Sequence, residues 1–327
     1  MEPRVITFSK NVFLPLTTVC RNRCGYCSFR TAPGEGCLLT REAIEGTLRQ
    51  GAAMGCTEAL LTFGERPEEE PGFLPYLEVA GYPTILDYCE AMCWKSIEYG
   101  VLPHTNAGIL TFDEMERLRA VNASMGLMLE TTARIPAHAT SKGKEPEVRL
   151  AMMEDAGRLK IPFTTGLLLG IGETMADREE SLYAIRDIHR RYKHIQEIII
   201  QNFCPKPGTP MANQPVPTTD EICRTIRLAR EILPREIAIQ IPPNLIDATL
   251  LIPCGVDDLG GVSPLTIDYV NPEHPWPAFE ELKKIAGDAH LKERLCIYPQ
   301  YIERGWYHPD LQPLINRLAQ TIKQRGS

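Results

Sequence analysis

Three cysteines stand in one short run, Cys20-Arg21-Asn22-Arg23-Cys24-Gly25-Tyr26-Cys27. With 11 Cys in 327 residues, such a grouping arises by chance roughly one time in a hundred. Three thiolates in one loop, with Gly25 easing the backbone around them, can each ligate one iron of a cubane [4Fe–4S] cluster. A pure electron carrier usually supplies four cysteines, so three leave one iron open to a cofactor or substrate. A zinc site, or a ferredoxin-like cluster completed by a distant ligand such as Cys37, is the alternative. Zinc loops usually come as two Cys/His pairs, and no second pair follows in the sequence. The remaining cysteines read differently. Cys56, Cys204, Cys223, Cys254 and Cys296 stand alone beside apolar neighbours and are expected as buried free thiols. Cys89 and Cys93 lie one helical turn apart on an apolar face, which points to core packing.

The elements that must position such a loop follow from the alternation of short apolar or β-branched runs with helical patterns. Strands are predicted at Leu14–Val19, Glu58–Phe63, Val101–Thr105, Ala123–Leu129, Phe163–Leu169, Gln196–Asn202, Glu236–Ile241 and Leu259–Val262. Thr111 to Glu114 and Thr218 to Glu221 read as capping boxes, and Ile222, Ile226, Ala229 and Leu233 then recur at helical spacing. Eight strands alternating with helices imply parallel βαβ units and hence an α/β fold, a (β/α)8-type TIM-like barrel, closed or partly open. One barrel domain is expected over 1–327, with 236–327 completing the barrel and the substrate end. In such a barrel the chemistry lies among the loops after each strand. The cysteines follow the first predicted strand, Gly64-Glu65 the second, Asn106 the third, Glu130 the fourth and Gly170 to Glu173 the fifth, while Asn202 ends the sixth. The Pro- and Glu-rich segment Glu65–Thr84 is too long for an ordinary βα loop; it reads as a lid or as a disordered surface insertion.

A net charge of −7 argues against nucleic acid or an anionic membrane as the main partner. No apolar run is long enough to span a bilayer, and Met1 to Lys10 lacks a signal pattern. A cytoplasmic enzyme acting on a small molecule is the expectation.

The Cys-x3-Cys-x2-Cys spacing, with the aromatic Tyr26 before the last cysteine, resembles the signature of the radical S-adenosylmethionine (SAM) superfamily. The resemblance implies a [4Fe–4S] cluster on Cys20, Cys24 and Cys27, whose open iron holds SAM by its amino and carboxylate groups. Electron transfer then yields a 5′-deoxyadenosyl radical. Thr62-Phe63-Gly64-Glu65 is similar to the superfamily's Gly-Gly-Glu motif, with Phe63 in place of the first glycine, and implies contact with the SAM amino group. The run Thr165 to Thr174, with Gly170 and Glu173, resembles the motif that approaches adenine. Glu130 and Arg178 are similar to polar residues near the SAM ribose and carboxylate.

Longer strings narrow the resemblance. Gly64-Glu65-Arg66-Pro67-Glu68, Leu102 to Gly108, Asn122 to Glu130, Asp257 to Pro264 and Asp268 to Glu273 resemble the 7,8-didemethyl-8-hydroxy-5-deazariboflavin synthase family, specifically its ring-closing subunit. That family implies a substrate assembled from tyrosine and a ribityl-substituted diaminouracil, supplied by a sister radical SAM subunit. A radical step closes the deazaflavin ring with loss of ammonia, on the way to coenzyme F-420, and an electron donor is required. His104, Asn106, Gln201, Asn202, Asp257, Asp258 and Ser263 are expected on one barrel face, where they suit the ribityl chain and the uracil. No residue is assigned as general acid or base. The sister subunit that joins tyrosine to the diaminouracil, and a non-enzymatic iron–sulfur or zinc protein, are the competing readings.

Overall fold

The structure is a computed structural model that describes residues 4–325. Its strands are all parallel, and parallel neighbours need long crossovers, so a helix follows nearly every strand. The chain runs β1 (Val5–Pro15), α1 (Arg41–Ala53), β2 (Glu58–Thr62), α2 (Leu74–Ala80), α3 (Ile85–Glu98), β3 (Leu102–Asn106) and α4 (Phe112–Arg119). It continues through β4 (Ser124–Gly126), α5 (Pro146–Arg158), β5 (Phe163–Leu169), α6 (Met175–Tyr192), β6 (Ile195–Asn202), α7 (Thr219–Ile232), β7 (Ala238–Gln240) and β8 (Asp258–Val262). The order β2-β3-β4-β5-β6-β7-β8-β1 returns to β2 through the register Asn11↔Glu58 to Pro15↔Thr62, closing an eight-stranded barrel. This is the TIM-like architecture that the alternation predicts. Its slimmest seam is β7–β8, held by the single pair Gln240↔Asp258.

Local chemistry explains the helix starts. Thr111 and Glu114 form a reciprocal capping box on α4, Thr218 and Glu221 another on α7, and Thr174 and Asp177 a third on α6. On α7, Ile222, Ile226 and Ala229 form the buried stripe, with Leu233 buried just beyond the helix. Cys89 and Cys93 are fully buried on α3 beside the Thr105 hydroxyl, as core residues.

Past β8 come α8 (Phe279–Ala286), β9 (His290–Glu293), α9 (Pro299–Glu303) and α10 (Gln312–Arg325). β9 extends the sheet beside the first residues of β1. The segment from Arg294 to Tyr301 then crosses the end of the barrel where the strands begin. The Arg294 amide donates to the Phe8 carbonyl at 2.7 Å, the Tyr298 amide to Gln196 Oε1 at 3.2 Å and the Tyr301 hydroxyl to the Ile195 carbonyl at 3.0 Å. The barrel is therefore plugged at its strand-start end and open at the other.

Three expectations change. The first strand is not Leu14–Val19 but Val5–Pro15; only isolated bridges at Thr17 and Val19 continue beyond it. Ser9, Lys10 and Asn11 interrupt its apolar pattern, and Ser9 and Asn11 are buried all the same. The segment after Glu65 is ordered, with a 3-10 turn at Pro67–Glu69 and α2, and it buries Phe73 and Leu77 completely. Finally, Cys223 and Cys254 are paired as a disulfide, their Cα atoms 5.5 Å apart, rather than free. Cys56 and Cys296 are buried free thiols as expected, and Cys204 is half-buried.

Candidate active site

The cysteine loop follows β1 at the open end of the barrel and is fastened from three sides. Its arginines grip the Glu-rich segment: Arg21 pairs with Glu65 at 2.8 Å and Glu69 at 2.6 Å, Arg23 with Glu70 at 2.8 Å, and Arg30 with Glu70 at 3.1 Å. On the opposite side the Gly25 amide donates to the Ala137 carbonyl at 2.8 Å and the Arg23 amide to Ser141 Oγ at 2.9 Å. From the third side, the Met211 amide donates to the Gly25 carbonyl at 3.1 Å.

Cys20, Cys24 and Cys27 all line one cavity of about 290 Å³. The amides of Glu65 and Asn22 point at Cys20 Sγ from 3.2 and 3.4 Å, and Ser141 Oγ points at Cys24 Sγ from 3.4 Å. Burial raises the pKa of Cys20 and of Cys27, partly offset at Cys20 by those amides; a bound metal reverses this by taking the thiolate directly. Among the described residues no three His, Cys, Asp or Glu side chains converge on one point suited to a single ion. A cubane asks for something else, one sulfur on each of three irons, so three thiols spread around one cavity with hydrogen-bond donors behind them fit that group. Cys37 is buried away from the cavity, its carbonyl accepting from the Thr17 hydroxyl at 2.6 Å.

Gly64 and Glu65 follow β2 against this loop. A Cβ on Gly64 would fall 1.9 Å from the Val19 carbonyl oxygen, so glycine alone lets the two backbones pass. The buried Glu65 carboxylate accepts from Arg21 Nε at 2.8 Å and from the Ile109 amide at 3.0 Å. It lies in a slot cut by two further glycines, since a Cβ on Gly108 or Gly143 would collide with it at 2.6 or 1.9 Å. Glu130, with φ of 68°, turns its side chain onto the same cavity, where Lys144, Tyr26 and His138 contact its carboxylate. Burial alone would raise its pKa, but Lys144, His138 and Arg149 outweigh that and hold Glu130 well below the usual carboxylate range.

A second cavity, of about 200 Å³, lies deeper in the barrel and shares Thr62, Asn106, Met128, Gln201, Val270 and Asn271 with the first. Its wall carries Ser9, Asn11, Glu58, His104, Glu197 and Arg294. Arg294 is buried and donates to Asp258 at 2.6 and 2.8 Å and to Glu197 at 2.8 Å. Burial pushes Glu58 up to about 7 and, together with the Arg294 charge, pulls His104 down to about 3.

The structure thus gathers Tyr26, Gly64, Glu65, Glu130, Asn106, Gln201 and Asn202 at the upper cavity, and His104 at the lower. It places the others elsewhere. Glu173 accepts from the Gly170 and Ile171 amides at 2.8 Å each and pairs with Arg178 at 2.7 Å, and this turn clamp lies outside both cavities. Asp257 precedes β8, at the plugged end, and pairs with Arg230. Asp258 is fully buried beneath the lower cavity with Arg294, and Ser263 accepts from the Thr266 amide at 2.9 Å in its own turn. Lys144, Arg149 and Lys206 also line the upper cavity. They sit outside the strand ends, so nothing in strand periodicity marks them.

A closed parallel barrel with three cysteines after its first strand and a glycine–glutamate pair after its second is the arrangement of one enzyme class. The radical SAM superfamily profile matches residues 14–184, from the end of β1 into α6. Two relatives lie much closer, both named 7,8-didemethyl-8-hydroxy-5-deazariboflavin synthase. That of Methanoregula boonei is 75% identical over all of this chain and 99% of its own, and that of Methanosphaerula palustris is 63% identical over the full length of both. The chain belongs to the radical SAM superfamily and, within it, to the family of these deazariboflavin synthases. The FeFe-hydrogenase maturase HydG from Carboxydothermus hydrogenoformans shares the fold, with a TM-score of 0.67 at 20% identity over 98% of this chain and 79% of its own. No helix among the described residues is long and apolar enough to cross a membrane.

Proposed function

We propose that this chain closes the ring of 7,8-didemethyl-8-hydroxy-5-deazariboflavin, in the cytoplasm, from an adduct of tyrosine and ribityldiaminouracil, with loss of ammonia. The observation that carries the reading is the 75% identity to a synthase of that name over the whole chain, cysteine loop and both cavities included.

Cys20, Cys24 and Cys27 would hold the [4Fe–4S] cluster. When bound and reduced, the cluster supplies an electron to SAM, whose cleavage provides the hydrogen-abstracting radical. The protein's own groups do the remaining work. Glu65 uses part of its accepting capacity on Arg21 and Ile109; a carboxylate offers about four acceptor sites, which leaves room for the SAM ammonium group. Glu130, kept anionic by Lys144 and fixed by Tyr26 and His138, suits the ribose hydroxyls. The Glu173–Arg178 pair contributes by shaping the turn after β5 rather than by touching the cofactor. The plug at the strand-start end leaves substrate one way in, past the cysteine loop.

One cysteine loop and one barrel argue for one radical reaction, so the adduct would come from a separate sister enzyme, and an electron donor would serve the cluster. The test is anaerobic turnover with mass analysis. Given the adduct, SAM and reductant, the protein should release a fluorescent deazaflavin, 5′-deoxyadenosine and ammonia. Given free tyrosine and the diaminouracil it should yield no deazaflavin. Deazaflavin formed from these two precursors by this chain alone would overturn the division of labour.

A further inference from the structure

We propose that the lower cavity is a receptor for the polyhydroxy chain of the substrate, so that the ribityl group points down the barrel axis and the reacting rings stay beside the cysteine loop. The inference rests on the ring-closing reading for the identity of the polyol; the chemistry of the cavity stands on its own.

The first observation is a pair of unpartnered groups. Asn11 is 1% exposed and faces the cavity, yet its Oδ1 accepts no hydrogen bond; the indole Nε1–H of Trp276, also on the wall, donates none. A buried polar group without a partner is destabilising, so an acceptor and a donor both left open mark a place where a ligand supplies the missing bonds. Two glycines make the room. A Cβ on Gly261 would sit 2.3 Å from the Asn11 amide nitrogen, and one on Gly260 2.2 Å from the Gln240 amide nitrogen. Side chains at these β8 positions would displace both amides.

The second observation is charge. Among the described residues lining the cavity, Arg294 is the one Arg or Lys, against three carboxyl groups on the same wall, Glu58, Glu197 and Asp268. Its Nε and both Nη atoms already donate to Asp258, Glu197 and the Leu295 carbonyl. A phosphate or carboxylate would meet the carboxyl groups of Glu197 and Asp268 and a committed guanidinium. A cation would satisfy Asn11 Oδ1 but leave the Trp276 N–H unpaired. A neutral hydroxyl both donates and accepts, and so serves both.

His104 adds a fixed acceptor. The Ser124 hydroxyl donates to the Cys296 carbonyl at 2.8 Å, so it must accept from His104 Nδ1–H at 2.7 Å. The neutral ring then carries its lone pair on Nε2, ready for a hydroxyl donor.

Geometry sets the direction of the chain. Glu58, Leu60 and Thr62 share the inward face of β2, and Thr62 lines both cavities. At about 3.3 Å per residue, Glu58 lies roughly 13 Å below Thr62. An extended hydroxylated chain reaches into that depth, whereas rings placed there would be withdrawn from the cysteines.

The experiment uses the full-length, cluster-reconstituted enzyme under anaerobic conditions. Calorimetry compares the tyrosine–ribityldiaminouracil adduct with an analogue carrying a pentyl chain in place of ribityl. The wild type should bind the ribityl adduct at least about tenfold more tightly. Asn11→Leu and Trp276→Phe should each weaken that binding about three- to tenfold, the worth of one hydrogen bond, and leave the pentyl analogue within about twofold. Because Asn11 Oδ1 bonds to nothing in the protein, Asn11→Leu should keep the wild-type melting temperature or exceed it. Equal affinity for the two chains, or variants that weaken both ligands alike, would overturn the assignment. If ring closure proceeds with the same KM on both chains, the cavity assignment falls and the reaction stands. If no ring closes but binding depends on the hydroxyls, the reaction reading falls and the cavity assignment stands.

Discussion

Replacing Glu58 by glutamine tests the electrostatics of the barrel interior directly. Glu58 opens β2, points into the lower cavity, and accepts from Ser9 Oγ at 2.6 Å. Burial pushes its pKa up to about 7 from 4.5; the Ser9 hydroxyl and Arg294 pull it down, while Glu197 and Asp258 push it further up. A carboxyl with a raised folded-state pKa is protonated in the folded protein over a range where the unfolded chain has lost the proton. Stability therefore falls as pH rises from about 4.5 to about 7, and the cost is complete above that. At 1.36 kcal/mol per pKa unit the ionised carboxylate costs about 3 kcal/mol at pH 8. Glutamine keeps an acceptor for Ser9 and removes the charge. With an unfolding entropy of about 2.1 cal/mol/K per residue, that gain corresponds to about 5 °C in melting temperature for this chain, shrinking to about 2 °C at pH 5.5. Calorimetric scans of wild type and Glu58→Gln, matched in cluster content, would measure both. A variant no more stable than wild type at pH 8, or a gain that does not change with pH, would refute the argument.

Three further outcomes follow from the upper cavity. Cys24→Ala should fold but hold little iron and release no 5′-deoxyadenosine, read by metal analysis and product chromatography; full iron content with normal SAM cleavage would remove Cys24 from the ligand set. Glu65→Gln should weaken SAM binding about ten- to a hundredfold, the worth of a charge-assisted hydrogen bond, with the cluster spectrum intact; unchanged affinity in equilibrium dialysis would leave Glu65 only its bonds to Arg21 and Ile109. Gly64→Ala puts a methyl 1.9 Å from the Val19 carbonyl, backbone against backbone, so the strand ends must part; cluster yield on reconstitution should drop severely, and a normally loaded Gly64→Ala protein would show that the two loops are not pinned there.

The barrel is legible because most of its strands are buried on both faces and read as apolar runs: Phe163–Leu169 is wholly buried, and its predicted and observed bounds coincide. The first strand departs from its predicted bounds for the complementary reason. Ser9 and Asn11 point into a polar chamber, so the residues that broke its apolar pattern are ones the chamber needs. Residues just after a strand line the upper cavity where the loop turns inward, at Gly64, Glu65 and Glu130. Asp257 precedes β8 and Asp258 begins it, so both lie at the plugged end, with Arg230 and Arg294. Glu58 and Arg294 carry no such local signal, because a lone charge at a strand start or beyond the last barrel strand ordinarily faces solvent. Their burial follows from the closing segment Arg294–Tyr301, a contact between chain ends that no local pattern encodes. That segment also gives the interior its chemistry. With the strand-start end covered, Glu197 and Asp258 share the Arg294 guanidinium and Glu58 lies within reach of its charge, in a medium where charge is costly, so the lower cavity is left polar.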